Sequence, residues 1–210
     1  MNFKVKALLG AASLALMAGS ASAADLACLI TKNNTNPFFV KMKEGAEAAA
    51  KAAGLDFQAY AGEKDGDAAP QSTAIENCVA AGAKGILITP SNDSVGPALK
   101  DARAAGILVI ALDTPLADTE AQDITFATDN FEAGLLIGKW AAATMGDTSK
   151  AKIAMLDINK DNISVDVARD TGFLVGFGIE VPDLTVMGSE TDPRVIGHES
   201  SDANPEGGLR

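Results

Sequence analysis

The chain has 210 residues, of which 47% are hydrophobic and 21% are charged. Acidic residues outnumber basic ones by 28 to 17, which gives a formal net charge of −11 at neutral pH. Such a surface repels nucleic acid and anionic lipid, and the hydrophobic content excludes a disordered acidic tail. The composition therefore predicts globular material, enough for one large or two small domains, without a nucleic-acid partner.

Residues 1–23 have the pattern of a secretory signal peptide. Lys4 and Lys6 lie in a stretch without acidic residues, an uncharged run follows from 7 to 18, and an A-x-A motif closes the segment at 21–23. This run is shorter than the roughly 20 residues that span a bilayer, and no later segment is apolar for long enough to do so. We expect cleavage after Ala23 and a periplasmic location. The mature chain then has 15 basic and 28 acidic side chains, a formal charge of −13.

Residues 24–127 alternate between short apolar runs and helical patterns. Short connections, most of them ending on glycine, join these elements, and parallel strands require such crossovers. The pattern predicts an α/β lobe with a parallel sheet and helices on both faces. The predicted strands are 25–31, 55–60, 85–89, 107–112 and 124–127, and the predicted helices are 37–53, 71–81 and 95–105.

The alternation breaks near residue 128, because two strands follow one another without a helix between them. We interpret 128–210 as the start of a second α/β lobe. Its predicted elements are a helix at 131–144, a strand at 152–156, a helix at 165–177 and a strand at 184–188. After Asp192 the composition turns polar, which predicts a loop and the first turn of another helix.

Two cysteines are present, Cys28 on the first predicted strand and Cys78 on the second helix. An exported chain can form a disulfide, and closing this loop would stabilise the fold by about 4 kcal/mol. Two buried free thiols explain the pattern equally well, since the sequence gives no Cα distance. Both interpretations remain open at this stage.

Several polar and aromatic residues follow predicted strands, where open α/β sheets bind ligands. Asn36 precedes Phe38 and Phe39 at the start of the first helix, and Asp113 ends the fourth strand. Aromatic rings suit the apolar faces of a sugar, and planar polar groups suit its hydroxyls. Taken singly, core packing, N-capping and a turn explain these residues better.

Five stretches together resemble the ribose-type periplasmic binding proteins of ABC importers, most closely the fructose-binding branch. The resemblance covers nearly the whole mature chain. It implies a type I periplasmic binding protein fold, with two doubly wound parallel-sheet lobes and the ligand between them. The stretches are NNTNPFFVKMKEGA at 33–46, GILIT at 85–89, VIALDTP at 109–115, FATDN at 126–130 and DVARDTGF at 166–173.

The resemblance also implies roles for single residues. Asn36 would hydrogen-bond a sugar hydroxyl, Phe38 and Phe39 would flank the ring, and Asp113 would accept from two hydroxyls. Arg169, by itself a surface charge, would donate from the second lobe. A carboxylate and a guanidinium both suit vicinal hydroxyls, since charge-assisted hydrogen bonds are strong.

A hinge and a membrane partner are implied as well. Thr128, Asp129 and Asn130 would form one hinge strand, at the first crossing between the lobes. Family members close around the sugar by hinge bending, and the ABC transporter permease in the inner membrane recognises the closed form. The implied protein is a monomeric substrate-binding component for a fructose-, ribose- or mannose-type monosaccharide. The alternative is a receptor for a non-nutrient ligand such as a signalling furanose.

This sequence departs from the family at two places. Thr114 stands where ribose-specific members carry an arginine, which argues against ribose, whereas DPRVIGH at 192–198 matches the fructose branch. The family's chain continues past Gly207 and Gly208 to complete the second lobe. The resemblance therefore implies a C-terminally truncated chain that binds sugar weakly or not at all.

Enzymes and DNA-binding regulators have little support. The nucleotide-binding glycine motifs and the nucleophile elbow are missing from the sequence. His198, the one histidine, is expected to be solvated, and a four-ligand zinc site of the usual kind cannot form without carboxylates. A lactose-repressor-type regulator shares the fold but requires a basic helix-turn-helix where the signal peptide stands. We expect no catalytic site, no metal and no cofactor.

Overall fold

The computed structural model describes residues 24–209, so the predicted signal peptide lies outside the described residues. Within that range, no helix is both long and apolar enough to span a membrane. The strands are β1 (Leu26–Thr31), β2 (Asp56–Ala61), β3 (Gly85–Ile88), β4 (Leu108–Leu112), β5 (Ile124–Phe126), β6 (Ile153–Asp157) and β7 (Val195–Ser200). The helices are α1 (Pro37–Ala53), α2 (Ala69–Ala80), α3 (Gly96–Ala104), α4 (Asn130–Met145), α5 (Ser164–Phe177) and α6 (Pro205–Gly208).

The first lobe is built on a five-stranded parallel sheet in the order β2-β1-β3-β4-β5. Successive side chains of a strand point to opposite faces. On β1, Cys28 and Ile30 are fully buried in the core shared with α2 and α3, whereas Leu29 is buried on the opposite face near Phe39 of α1. The predicted parallel α/β lobe with helices on both faces is therefore confirmed.

A disulfide joins the first strand of this lobe to its second helix. Cys28 on β1 and Cys78 on α2 are both fully buried, and their Cα atoms are 6.4 Å apart. This distance lies within the range that a disulfide spans. Of the two interpretations that the sequence left open, the structure contains the bridged one.

The second lobe contains the parallel pair β6-β7 and the packed helices α4 and α5. The two helices approach so closely that their contact is made of glycine. A Cβ atom on Gly134 would lie 2.2 Å from the carbonyl oxygen of Arg169, and one on Gly172 would lie 2.2 Å from that of Phe131. Because no side chain fits there, these glycines fix the distance between the helices and hold the backbone of Arg169.

The predicted strand at 184–188 is wrong, and the strand of this region is β7 at Val195–Ser200. Residues 183–189 form polar turns instead. Asp183 Oδ1 accepts hydrogen bonds from the backbone N–H and the hydroxyl of Thr185, and Ser189 Oγ donates to the carbonyl oxygen of Asp183. These local bonds compete with a sheet ladder.

The predicted hinge strand at 128–130 is also not a strand. Thr128 and Asp129 are irregular, and Asn130 is the first residue of α4. Asp129 Oδ1 accepts a hydrogen bond from the backbone N–H of Glu132 at 2.9 Å, which caps the helix and starts it at this point. A hinge role for these three residues, and the lobe boundary beside them, remain predictions.

Candidate functional site

A cavity of about 210 Å³ lies between the two lobes. Asn36, Phe38, Phe39, Asp113 and Arg169 all line it, so the structure brings the five predicted ligand residues together. The sequence analysis did not predict the other residues that line this cavity, which come from both lobes. The additional residues are Lys32, Asp65, Ile158, Val165 and Ala203.

Asn36 reaches the cavity through a tight turn after β1. Asn33 Oδ1 accepts hydrogen bonds from the backbone N–H groups of Thr35 and Asn36, at 3.2 and 2.9 Å. Asn36 Oδ1 in turn accepts from the backbone N–H of Phe38 at 3.0 Å and caps α1. The capping interpretation of Asn36 is therefore correct, and its NH₂ group is the donor left over for a ligand.

The two adjacent phenylalanines have different environments. Phe39 is 5% exposed and packs in the core, whereas Phe38 is 52% exposed. Their ring centroids are 5.2 Å apart in an edge-to-face arrangement. Core packing thus explains Phe39 but not Phe38, which lines the cleft with about half of its side chain exposed.

Asp113 adopts a left-handed backbone conformation at the end of β4, with φ of 65°. Its N–H donates to the carbonyl oxygen of Phe126 at 2.8 Å, and one carboxylate oxygen accepts from the hydroxyl of Thr114 at 2.9 Å. Such backbone strain costs about 1–3 kcal/mol and clusters at functional sites. Within residues 24–209 the second carboxylate oxygen has no hydrogen-bond partner, so it is available to a ligand.

Lys32 and Asp65 form a buried ion pair at the floor of the cavity. Their side chains are 3% and 8% exposed, and Nζ lies 3.8 Å from Oδ1. Burial lowers the pKa of Lys32 and raises the pKa of Asp65, and in each case the opposite charge offsets only part of the effect. Lys32 directly follows the buried apolar strand β1, and this position is the sequence signal that could have identified it as a site residue.

Arg169 lines the cavity from α5 of the second lobe and is exposed. The lobes also touch directly. Ser164 Oγ donates to the carbonyl oxygen of Pro115 at 3.1 Å, and a Cβ atom on Gly66 would lie 2.9 Å from Oδ2 of Asp161. Groups of both lobes can therefore contact one small ligand.

His198 is not solvated as predicted, because β7 places it among buried carboxylates. Its Nδ1 lies 3.1 Å from Oδ2 of Asp157, and its Nε2 lies 2.8 Å from Oε1 of Glu190. Burial by itself would lower the pKa of His198, but the hydrogen bonds to Glu190 and Asp157 raise it on balance. Burial, followed by the neighbouring Asp157, raises the pKa of Asp170 to about 8.

Residues 27–195 match the model of the periplasmic binding protein domain. The chain belongs to this family. It is 35% identical over 149 residues to the ribose import binding protein RbsB of Haemophilus influenzae, which covers 70% of the chain and 50% of that protein. It is 28% identical over 189 residues to a D-apiose import binding protein of Actinobacillus succinogenes, which covers 89% of the chain and 59% of that protein.

Solved structures of periplasmic binding proteins show the same fold. A carbohydrate transporter solute-binding protein from Agrobacterium radiobacter, in complex with D-arabinose, superposes with a TM-score of 0.72 at 21% identity. The match covers 90% of this chain and 61% of that one. The chain spans about half the length of the curated ribose-binding relatives that it matches.

Proposed function

We propose that this periplasmic binding protein is the substrate-binding component of a sugar ABC importer and holds a monosaccharide between its lobes. The observation that carries the proposal is the shared cavity, since Asn36, Phe38, Phe39, Asp113 and Arg169 all line it. These residues come from both lobes, so a ligand that contacts all of them favours the closed arrangement. The names of the ribose and apiose import relatives support the same class of ligand.

The chemistry of the cavity suits a sugar. Phe38 offers a half-exposed ring to the apolar C–H face, and the free oxygen of Asp113 accepts from a hydroxyl. Arg169 donates from the opposite lobe through a planar fork. A volume of about 210 Å³ is smaller than the roughly 300–1,000 Å³ of pockets for drug-sized ligands, which agrees with a ligand of monosaccharide size.

The buried ion pair between Lys32 and Asp65 forms part of the cavity lining. Lys32 and Asp65 lie where a sugar hydroxyl would contact them, and Asn33 Nδ2 donates to Asp65 Oδ2 at 3.3 Å. We include Lys32 and Asp65 among the ligand-binding groups. Both offer charged partners for hydroxyls, and charge-assisted bonds are about twice as strong as neutral ones.

The rest of the proposal concerns the cell. The signal-peptide pattern supports export to the periplasm, and the binding-protein family supports an ABC transporter permease in the inner membrane as partner. That the protein acts as a monomer is part of the proposal. Thr128, Asp129 and Asn130 are the proposed hinge, because they connect β5 of the first lobe to α4 of the second. The protein binds its sugar and performs no chemistry on it.

The sugar itself is proposed as fructose-, ribose- or mannose-type. Thr114 is relevant here because its hydroxyl donates to Asp113 and leaves that carboxylate one free oxygen. An arginine at 114 would instead add a second cation beside Asp113. Thr114 and the DPRVIGH stretch at 192–198 both resemble the fructose-binding branch, and on that resemblance we expect fructose to bind more tightly than ribose.

The test is calorimetric titration with each sugar, using the mature chain extended by the C-terminal half of the Haemophilus influenzae relative. Asp113→Ala should weaken binding by about 10–150-fold, because a hydrogen bond to a charged group contributes about 1.5–3 kcal/mol and each 1.4 kcal/mol is about tenfold in affinity. Phe38→Ala should weaken it by a smaller factor. Asp101→Ala, on the exposed side of α3, is the matched control and should bind like the parent. Equal affinity of Asp113→Ala and the parent would contradict the proposed site.

A further inference from the structure

A second cluster of polar groups lies in the second lobe, apart from the cavity lining. Asp157 ends β6, Asp170 lies on α5, Glu190 lies in the loop before β7, and His198 lies on β7. His198 Nδ1 lies 3.1 Å from Oδ2 of Asp157 and 4.0 Å from Oδ2 of Asp170. One ligand atom from each of Asp157, Asp170 and His198 lies within 4.8 Å of the other two.

Two oxygens of this cluster are buried and accept no hydrogen bond from the described residues. They are Oδ2 of Asp170, a residue only 8% exposed, and Oε2 of Glu190, whose side chain is 4% exposed. A buried oxygen without a partner is costly, and more so when it belongs to a carboxylate. Asp170 Oδ2 lies 4.0 Å from His198 Nδ1, beyond hydrogen-bond distance, so no group among the described residues hydrogen-bonds this oxygen.

The position of the proton on His198 limits what can lie between its Nδ1 atom and the two aspartates. Glu190 Oε1 lies 2.8 Å from His198 Nε2 and accepts the N–H there. In a neutral imidazole, Nδ1 then carries a lone pair and faces Asp157 and Asp170. Either a proton or a metal ion must lie between these three acceptors, because a lone pair and two carboxylates repel one another.

We propose that Asp157, Asp170 and His198 bind one divalent transition-metal ion, with Zn²⁺ as the best match. Ligand atoms around such an ion, each about 2.1 Å from it, lie roughly 3.0–3.4 Å apart, close to the 3.1 Å seen between His198 and Asp157. The 4.0 Å between His198 Nδ1 and Asp170 Oδ2 must shorten by roughly 0.6–1 Å, so Asp170 has to move in on metal binding. Three protein ligands leave a fourth position for water.

The donor set favours a transition metal over Ca²⁺ or Mg²⁺. Calcium and magnesium take oxygen ligands, whereas imidazole nitrogen suits Zn²⁺ and its neighbours. Glu190 completes the arrangement, since metal-bound histidines donate their other ring N–H to a carboxylate that orients the ring. Glu190 is thus a positioning residue, and the ion would join β6, α5 and β7.

The experiment is metal binding to the mature chain, purified without a histidine tag, treated with chelator and dialysed. Zn²⁺ is titrated in by calorimetry, and bound metal is counted by elemental analysis. We expect one equivalent with a rise in melting temperature, and weaker or no binding of Ca²⁺. Asp170→Asn should abolish this equivalent, and Glu190→Gln should weaken it by about 10–100-fold, as loss of an outer partner does.

Two controls keep the test decisive. Asp170→Asn removes one of the crowded charges, so without metal it should melt no lower than the parent, which excludes misfolding as the cause of lost binding. Glu76→Gln, at an exposed acid on α2, measures adventitious binding by the acidic surface and should change nothing. If the parent binds no Zn²⁺, or binds it equally after Asp170→Asn, a proton alone occupies the cluster and the proposal is overturned. This outcome is independent of sugar binding.

Discussion

Replacing the two cysteines tests the disulfide that ties β1 to α2. Cys28 and Cys78 are 50 residues apart in sequence, and closing a loop of this size removes unfolded-state entropy worth about 4 kcal/mol. Both sulfur-bearing side chains are fully buried, so serine at either position would also bury a hydroxyl. The Cys28→Ala/Cys78→Ala double variant avoids that cost and isolates the loss of the crosslink.

Guanidinium unfolding followed by circular dichroism is the assay. The double variant should lose about 4 kcal/mol of unfolding free energy, with a larger slope because its unfolded state exposes more surface. Thiol titration of the parent in denaturant without reductant should find no free thiol. Two titratable thiols, or equal midpoints for parent and double variant, would refute the reasoning.

Three further predictions concern packing, polar contacts and charge. Gly172→Ala places a Cβ 2.2 Å from the carbonyl oxygen of Phe131 and should destabilise by about 1–3 kcal/mol or more in thermal melts, whereas Gly45→Ala on α1, with nothing within 4 Å, should be neutral or stabilising. Gln71→Leu removes the donor to the carbonyl oxygens of Thr31 and Thr89 in the core and should cost about 2–4 kcal/mol in urea unfolding; an unchanged midpoint would be inconsistent with that network. Hydrogen bonds from Arg194 lower the pKa of Asp192 to about 2. The contribution of this carboxylate to stability should therefore be present above about pH 4 and be lost as the pH falls through 2. NMR titration should show the Asp192 midpoint there, and Arg194→Leu should move it up towards 3.8.

Most of the fold could be predicted because short-range sequence signals determine where its helices and strands begin and end. Asn36-Pro37 starts α1 and Gly54 ends it, and the unbroken apolar runs of β1 and β4 are typical of strands buried on both faces. The strand β7 could not be predicted, since Gly197, His198 and Glu199 give it no apolar pattern. Its pairing with β6 comes from tertiary contacts alone.

The candidate site likewise has features that could be predicted from the sequence and features that could not. The position of Asp113 at the end of a parallel strand follows from topology, and the structure places it opposite Arg169 across one cavity. The ligand roles of these residues stay predictions. The environment of His198 could not be predicted, because Asp157, Asp170 and Glu190 come from three other segments and no spacing in the sequence connects them.

Both sheets of the described residues carry large apolar side chains that are exposed. Leu108 and Phe126 are 50% and 60% exposed on the first sheet, and Leu156 and Ile196 are 60% and 61% exposed on the second. Monomeric proteins rarely leave such side chains in groups.

The most direct test of sugar binding between the lobes is calorimetric titration of the purified mature chain with fructose, ribose and mannose. It is run beside the version extended by the C-terminal half of the relative. We expect the extended protein to bind one equivalent of a monosaccharide and the chain alone to bind it weakly or not at all. Failure of both proteins to bind any sugar would contradict the account and return Phe38 and Asp113 to structural roles.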